Sequence, residues 1–272
     1  MSDDVNEDVN DALRAVRTLR IRGAAHSEHD DRVIVEAPVA LLYNGEPFAV
    51  MMATPESLED FALGFALSEG IVAAREEFRL VDTVHVDDGI ALHAAIPQAR
   101  FDALQARRRG LEGRSGCGLC GIESLQAAMR PVPNVGASPA VSTERIRDAL
   151  TALAQQQPLN ALSGGVHAAG FAHAGGLLVR EDVGRHNALD KLIGALASHD
   201  PAIRPDSGFL VITSRASYEI VHKAATAGIG LVVAISAPTD LAIRTADRAG
   251  LTLAAFARGD SLNVYSHPQR IA

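Results

Sequence analysis

The chain has 272 residues, of which 47% are hydrophobic and 21% charged, with a net charge of −8 and no Trp. That length fits one large domain or two modest ones with buried cores. The negative balance and the 4% aromatic content argue against a nucleic-acid surface built on a basic field or on stacking rings, and no apolar run approaches the ~20 residues of a membrane helix.

The chain opens on MSDDVNEDVN, which is acidic and polar where a secretory signal would be basic and then apolar. The expected compartment is therefore the cytoplasm, where thiols stay reduced. Residues 1–28 read as a polar arm, expected to be disordered, with a short helix over 11–19 as the other reading. Residues 32–55 read as two strands joined at Asn44-Gly45, a strong hairpin signal. In residues 55–72, Leu58, Phe61, Ala62, Phe65, Ala66 and Ile71 approximate helical spacing, and Gly70 is a stop. Residues 81–97 read as a second hairpin, turning at Asp87-Asp88-Gly89.

Residues 107–121, RRRGLEGRSGCGLCG, break this pattern. Their five glycines leave no core-forming period, so they read as a mobile loop leading into a helix at 122–129. Residues 131–142 read as a linker. The expected organisation is the arm at 1–28, a strand-rich N-terminal domain at 29–134 ending in the cysteine loop, and an α/β ligand-binding domain at 135–272. In that last part the spacing predicts helices at 143–157, 185–198, 217–228 and 240–250, a hairpin at 166–182 across Gly175-Gly176, and buried strands at 209–213 and 231–236. Two strands close the chain. Strands alternating with helices predict a mostly parallel sheet covered on both faces.

Cys117 and Cys120 are the only cysteines. A structural zinc site needs four ligands, and there is neither a second CxxC nor a suitable pair of His. A thioredoxin-like site would follow an early strand of a βαβ unit, whereas this pair sits mid-chain. Two inert buried thiols fit poorly in a glycine-rich loop. A reactive pair is the remaining reading: the thiolate is favoured near a helix N-terminus and cations, and a helix from about 122, Arg114 and the run 107–109 would supply both. That run also reads as a solvated surface.

Polar turns follow the strands. Ser214-Arg215 follows 209–213, Ser236 and Thr239 follow 231–236, and Asp182-Val183-Gly184-Arg185-His186-Asn187 enters a helix that also carries Lys191. Turns beyond the carboxyl ends of strands and helix N-termini are where α/β proteins hold anions, and two of these carry arginine. Neither GxxxxGK[ST] nor GxGxxG occurs. His186 reads as an acid/base or phosphate-donating group, or as a His bonded to a backbone carbonyl; His167 reads either as a ligand contact or as an ordinary strand residue.

At these residues the chain resembles the formate dehydrogenase accessory sulfurtransferases, FdhD. The matching strings are DFALGFALSEGI (60–71), SGCGLCGIESL (115–125), GGVHAAG (164–170), REDVGRHNALDKLIG (180–194), SRASYEIVHKAATAGI (214–229), SAPTDLAI (236–243) and AGLTLAAFARGDSLNVYSHPQRI (249–271). The resemblance implies a cytidine deaminase-like α/β domain with a smaller strand-rich N-terminal domain, usually as a homodimer, without the deaminase zinc signature. It implies a protein that takes persulfide sulfur from a cysteine desulfurase. The sulfur passes to the molybdenum of a bis(molybdopterin guanine dinucleotide) cofactor destined for formate dehydrogenase. The implied persulfide carrier is Cys117, with Cys120 assisting. The implied cofactor-contacting segment is Phe256, Ala257, Arg258, Gly259, Asp260 and Ser261, with Arg258 as phosphate partner. Arg185 and His186 are expected to join it, and Ser214, Arg215, Ser236 and Thr239 are assigned to the guanine nucleotide ends. Thr213 stands where many relatives are expected to have glycine. The competing readings are a cofactor-binding chaperone that transfers no sulfur and a thiol–disulfide oxidoreductase.

Overall fold

The computed structural model describes residues 11–112, 131–136, 140–199, 201 and 203–272. Cys117 and Cys120 lie outside the described residues. No helix among the described residues is long and apolar enough to cross a membrane.

The chain begins with a surprise. Strands β1 (Leu13–Arg22) and β2 (Ala25–Ile34) pair in antiparallel register around Gly23, where a disordered arm or a short helix is expected. Cross-strand charge explains the pairing: β1 is rich in Arg and β2 in acids, and Arg17 bonds Glu28 across the ladder.

Strands β3 (Ala37–Tyr43), β4 (Glu46–Ala53), β5 (Arg79–Val86) and β6 (Gly89–Ala95) form a four-stranded sheet in the order β4-β3-β6-β5. Both expected hairpins are present. Asn44 and Gly45 take positive φ, 50° and 88°, as a two-residue hairpin turn requires. Helix α1 (Leu58–Ser68) covers one sheet face, burying Phe61 and Phe65 against Val39, Leu41, Tyr43 and Leu92. Helix α2 (Gln98–Glu112) follows. It takes in residues 107–112, expected as loop: the Arg, Leu and Glu of this stretch favour helix strongly enough to carry Gly110 near its end.

The second layer is a six-stranded sheet in the order β12-β11-β10-β9-β7-β8, built from β7 (His167–His173), β8 (Gly176–Asp182), β9 (Phe209–Ile212), β10 (Leu231–Ala234), β11 (Thr252–Arg258) and β12 (Ser261–Ser266). Only β9, β10 and β11 pair in parallel; β7 and β12 run against them, and the edge strand β8 pairs antiparallel with β7. The expected mostly parallel sheet is therefore mixed, because the hairpins β7–β8 and β11–β12 cap both ends of a parallel centre. Alternate residues face opposite ways, as a pleated strand dictates. Leu210, Ile212, Val232 and Ala234 pack under α5 (Arg185–Ser198), α6 (Tyr218–Thr226) and α7 (Asp240–Ala249). Phe209, Val211, Leu231 and Val233 pack under α3 (Thr143–Gln155), whose N-cap is Ser142, accepting from the Arg145 N–H. A short helix α4 (Pro158–Ser163) follows, its first N–H groups held by the Glu181 carboxylate at 2.9 Å. Residues 131–136 are not a free linker: Val135 is buried in the core and its N–H donates to the Ala249 carbonyl.

The two layers meet where α1 crosses α5. A Cβ at Gly64 would lie 1.7 Å from the Asp190 carbonyl oxygen, and one at Gly194 would lie 2.0 Å from that of Asp60. The helices thus touch backbone to backbone through reciprocal glycines.

Candidate functional site

The segment 180–191 has two jobs, and the larger is hidden. Lys191 is wholly buried, with its ammonium 2.7 Å from Asp182 and donating to the Thr54 carbonyl at 2.9 Å. The other Asp182 oxygen accepts from the Gly184 N–H and the Asn187 amide, and Asn187 also donates to the Met52 carbonyl. One turn on, Asp190 accepts from Ser68 at 2.6 Å and from Lys223 of α6, which also reaches Glu69. Arg180 pairs with Asp60. The bonds to Met52, Thr54, Asp60, Ser68 and Glu69 join the strand-rich half to the α/β half, and the Lys191–Asp182 and Asp190–Lys223 pairs brace their α/β side. Burial opposes the charge of Lys223, but Asp190 and Glu69 outweigh it and hold its pKa above the ordinary value. Buried charges left unpaired would be very costly, so this cluster fixes α5 and α6 in one position.

What α5 and α6 present from that fixed position is the site. Parallel β9 and β10 end at Ile212 and Ala234, and the loops beyond them hold each other. The Ala216 N–H donates to the Ala237 carbonyl, and the Thr239 N–H to that of Ala216. The Ser236 carbonyl accepts from the Phe256 N–H, which brings the 256–261 string alongside. Phe256 has φ 53° at a bulge in β11 and is 44% exposed. From α5, the His186 ring lies 3.4 Å from the Ser217 hydroxyl and 3.5 Å from the Glu219 carboxylate. Burial, then the Arg185 charge, pulls the His186 pKa below its ordinary value. The same two causes act on His167, which faces Asp182 across the β7–β8 ladder. Burial works against ionised Glu219, but its own backbone N–H and the Ser217 hydroxyl outweigh it and hold the pKa low. The result is two imidazoles whose charged form is disfavoured, beside a guanidinium whose buried Nε has no hydrogen-bond partner among the described residues.

Of the expected residues, Arg185, His186, Arg215, Ser236 and Phe256 gather at this edge of the sheet. Others are there but already committed. Ser214 is buried and donates to the Arg215 carbonyl. The Thr239 hydroxyl caps α7, accepting from the Ala242 N–H. Ala257 is buried under α3. Lys191 is buried in the interdomain cluster and unavailable to a phosphate. Arg258, Gly259, Asp260 and Ser261 form the exposed β11–β12 turn, and Asp260 faces Arg147 of α3 at 3.2 Å. The cavity beneath that turn is only about 70 Å³, so a ligand there lies across the surface. A larger cavity of about 640 Å³ opens between the far ends of α1, α5 and α6, away from these residues. Sequence reading missed Ser217 and Glu219 as partners of His186; their position in the first turn of a helix following a strand was the available signal.

A mixed α/β sheet with basic and hydroxyl-bearing loops at the carboxyl ends of its parallel strands defines an α/β protein with its candidate site where such folds hold ligands. Its family follows from comparison: the FdhD/NarQ family pattern matches residues 34–272, and the chain belongs to that family. It is 55% identical over 259 residues to the sulfur carrier protein FdhD of Xanthomonas campestris pv. campestris (strain B100), covering 94% of this chain and 92% of that one. It is 49% identical over 261 residues to the sulfur carrier protein FdhD of Variovorax paradoxus (strain S110), covering 95% and 91%. A crystal structure from Desulfotalea psychrophila, described as a candidate formate dehydrogenase accessory protein, superposes with TM-score 0.74 at 26% identity. It covers 96% of this chain and all of that one.

Proposed function

We propose that this chain is a cytoplasmic sulfurtransferase that carries persulfide sulfur from a cysteine desulfurase to the molybdenum of a bis(molybdopterin guanine dinucleotide) cofactor, for use in formate dehydrogenase. The cofactor is the cargo and acceptor. The six-stranded layer is read as a cytidine deaminase-type domain adapted to hold it. The observation that carries the reading is the convergence of Arg185, His186 and Arg215 with Ser236 and Phe256 beyond the carboxyl ends of β9 and β10. The orphaned, buried Nε of Arg185 suits an anionic acceptor, since an unpartnered buried donor costs free energy until it is satisfied. The names of the relatives at 55% and 49% identity support the sulfur-carrying half.

In this reading the Cys117 thiolate attacks the outer sulfur of the desulfurase persulfide. The new S–S bond forms as the old one breaks, and the desulfurase cysteine leaves as thiolate. The exposed guanidinium groups of Arg215 and Arg258 meet cofactor phosphates by charge-assisted hydrogen bonds. The interdomain cluster holds α5 and α6 so that this cradle is formed before the ligand arrives. The test is Cys117→Ala in cells that lack the wild-type chain. Expected is a variant that still binds the cofactor while formate dehydrogenase stays inactive. Full dehydrogenase activity would instead make the protein a binding chaperone without sulfur transfer.

A further inference from the structure

His167 opens β7 at the edge of the sheet where the site lies. β7 runs against β9, pairing Ala169 with Ile212, so its first residue lies beyond the carboxyl end of β9. Thr213 holds it there: its hydroxyl accepts from the Ala168 N–H at 2.9 Å, and its own N–H donates to the Ala168 carbonyl at 3.1 Å. Across the ladder from His167 stands Asp182, from which the chain turns into Gly184 and Arg185. Both Asp182 oxygens are already committed, one to Lys191 and the Thr54 N–H, the other to the Gly184 N–H and the Asn187 amide. The half-buried His167 ring has no hydrogen-bond partner among the described residues.

Arg185 is the group that His167 and His186 share. After burial, its charge is what most disfavours the protonated form of both rings, and it also acts on Glu219. Two other charges act on His186: Glu219, which attracts its proton, and Lys223, which repels it and is itself spent on Asp190 and Glu69. On His167 it is Asp182 that opposes Arg185. The buried Nε of Arg185 lacks a partner among the described residues. We infer that His167 is a further ligand-contacting residue, and that His167, Arg185 and His186 together take a tetrahedral oxyanion along with a proton from solvent; this rests on the proposed reading of the edge as the seat of an anionic acceptor. An anion beside Arg185 cancels the charge that keeps protons off both rings, so binding and protonation favour each other. A protonated ring donates from both nitrogens, a neutral one from a single nitrogen, so the proton adds a charge-assisted bond to the anion. A cofactor phosphate and a free oxyanion share this chemistry.

The experiment titrates the full chain with sulfate, whose own charge is fixed from about pH 6 to about pH 8, while NMR follows the His167 and His186 rings. Both rings are expected to titrate at higher pH with sulfate bound. Sulfate affinity is expected to fall roughly threefold per pH unit, the slope that uptake of about half a proton dictates. His167→Gln weakens sulfate several-fold at the acid end of the range and little at the alkaline end, where the rings are uncharged; a merely structural loss would be equal at both. Guanosine diphosphate that displaces sulfate assigns the oxyanion to the nucleotide end of the cofactor, and sulfate that stays bound beside it assigns a free oxyanion; both outcomes support the bracket of two imidazoles and a guanidinium. Sulfate that binds with the His167 midpoint unmoved, or with an affinity independent of pH, overturns it. So does failure of sulfate to bind; if guanosine diphosphate still binds, the cofactor reading of the edge survives, and if neither binds, both fall.

Discussion

The ammonium of Lys223 lies 2.9 Å from both carboxylate oxygens of Asp190, with side chains only 8% and 1% exposed. Lys223 is on the helix that begins with Ser217 and Glu219, and Asp190 on the helix that begins with Arg185 and His186. The pair therefore ties the two helices of the site together. Ser68 and Glu69 tie both to α1. Function here begins with a buried electrostatic knot behind the site.

Replacing Lys223 with Met leaves Asp190 buried beside a second carboxylate. The expected loss of unfolding free energy is about 3–5 kcal/mol, measured by urea denaturation. Asp190→Asn in the same chain restores a good part of it, because the uncompensated charge is gone. A single-variant loss below about 1 kcal/mol would remove the pair from this role.

Gly64→Ala tests the crossing of α1 and α5. With a backbone carbonyl 1.7 Å from the new Cβ, the helices must separate. The expected cost is about 3 kcal/mol, accompanied by weaker binding of guanine nucleotide as α5 shifts. Wild-type stability would show that the crossing tolerates a methyl group.

The histidines give a pH dependence of definite sign. His186 and His167 both titrate below their ordinary value in the folded chain, so the unfolded chain takes up these protons first. Their contribution to stability is complete above the unfolded pKa of about 6.5 and is lost as pH falls toward the folded values. NMR titration of the His186 ring is expected to show a midpoint below 6.5, moving upward when an anionic guanine nucleotide binds beside it. A midpoint above 6.5 in the free protein contradicts the buried setting beside Arg185.

Much of the fold was legible. Asn44-Gly45, Asp88-Gly89 and Gly175-Gly176 announce hairpins because their conformations demand those residue types. The helix at Arg185–Ser198 was readable from its period. The β1–β2 hairpin was not, since its strands bury almost nothing and carry charges that resemble a solvated tail. For the site, the turns at Ser214, Arg215 and Ser236 could be read, because strand ends precede them. That Lys191 is spent on internal bonds could not: its partners Thr54 and Asp182 become neighbours only on folding, whereas Ser214 and Thr239 are committed to the nearby Arg215 carbonyl and Ala242 N–H. The same twelve-residue string looked like a phosphate site and is mainly an interdomain lock.

In the proposed function Cys117 carries the sulfur. The direct measurement is mass spectrometry of the intact chain and its peptides after incubation with a cysteine desulfurase and free cysteine. A gain of one sulfur atom is expected on the peptide bearing Cys117, absent in Cys117→Ala and removed by a reducing thiol. Loss of two hydrogens between Cys117 and Cys120 with no added sulfur would contradict it.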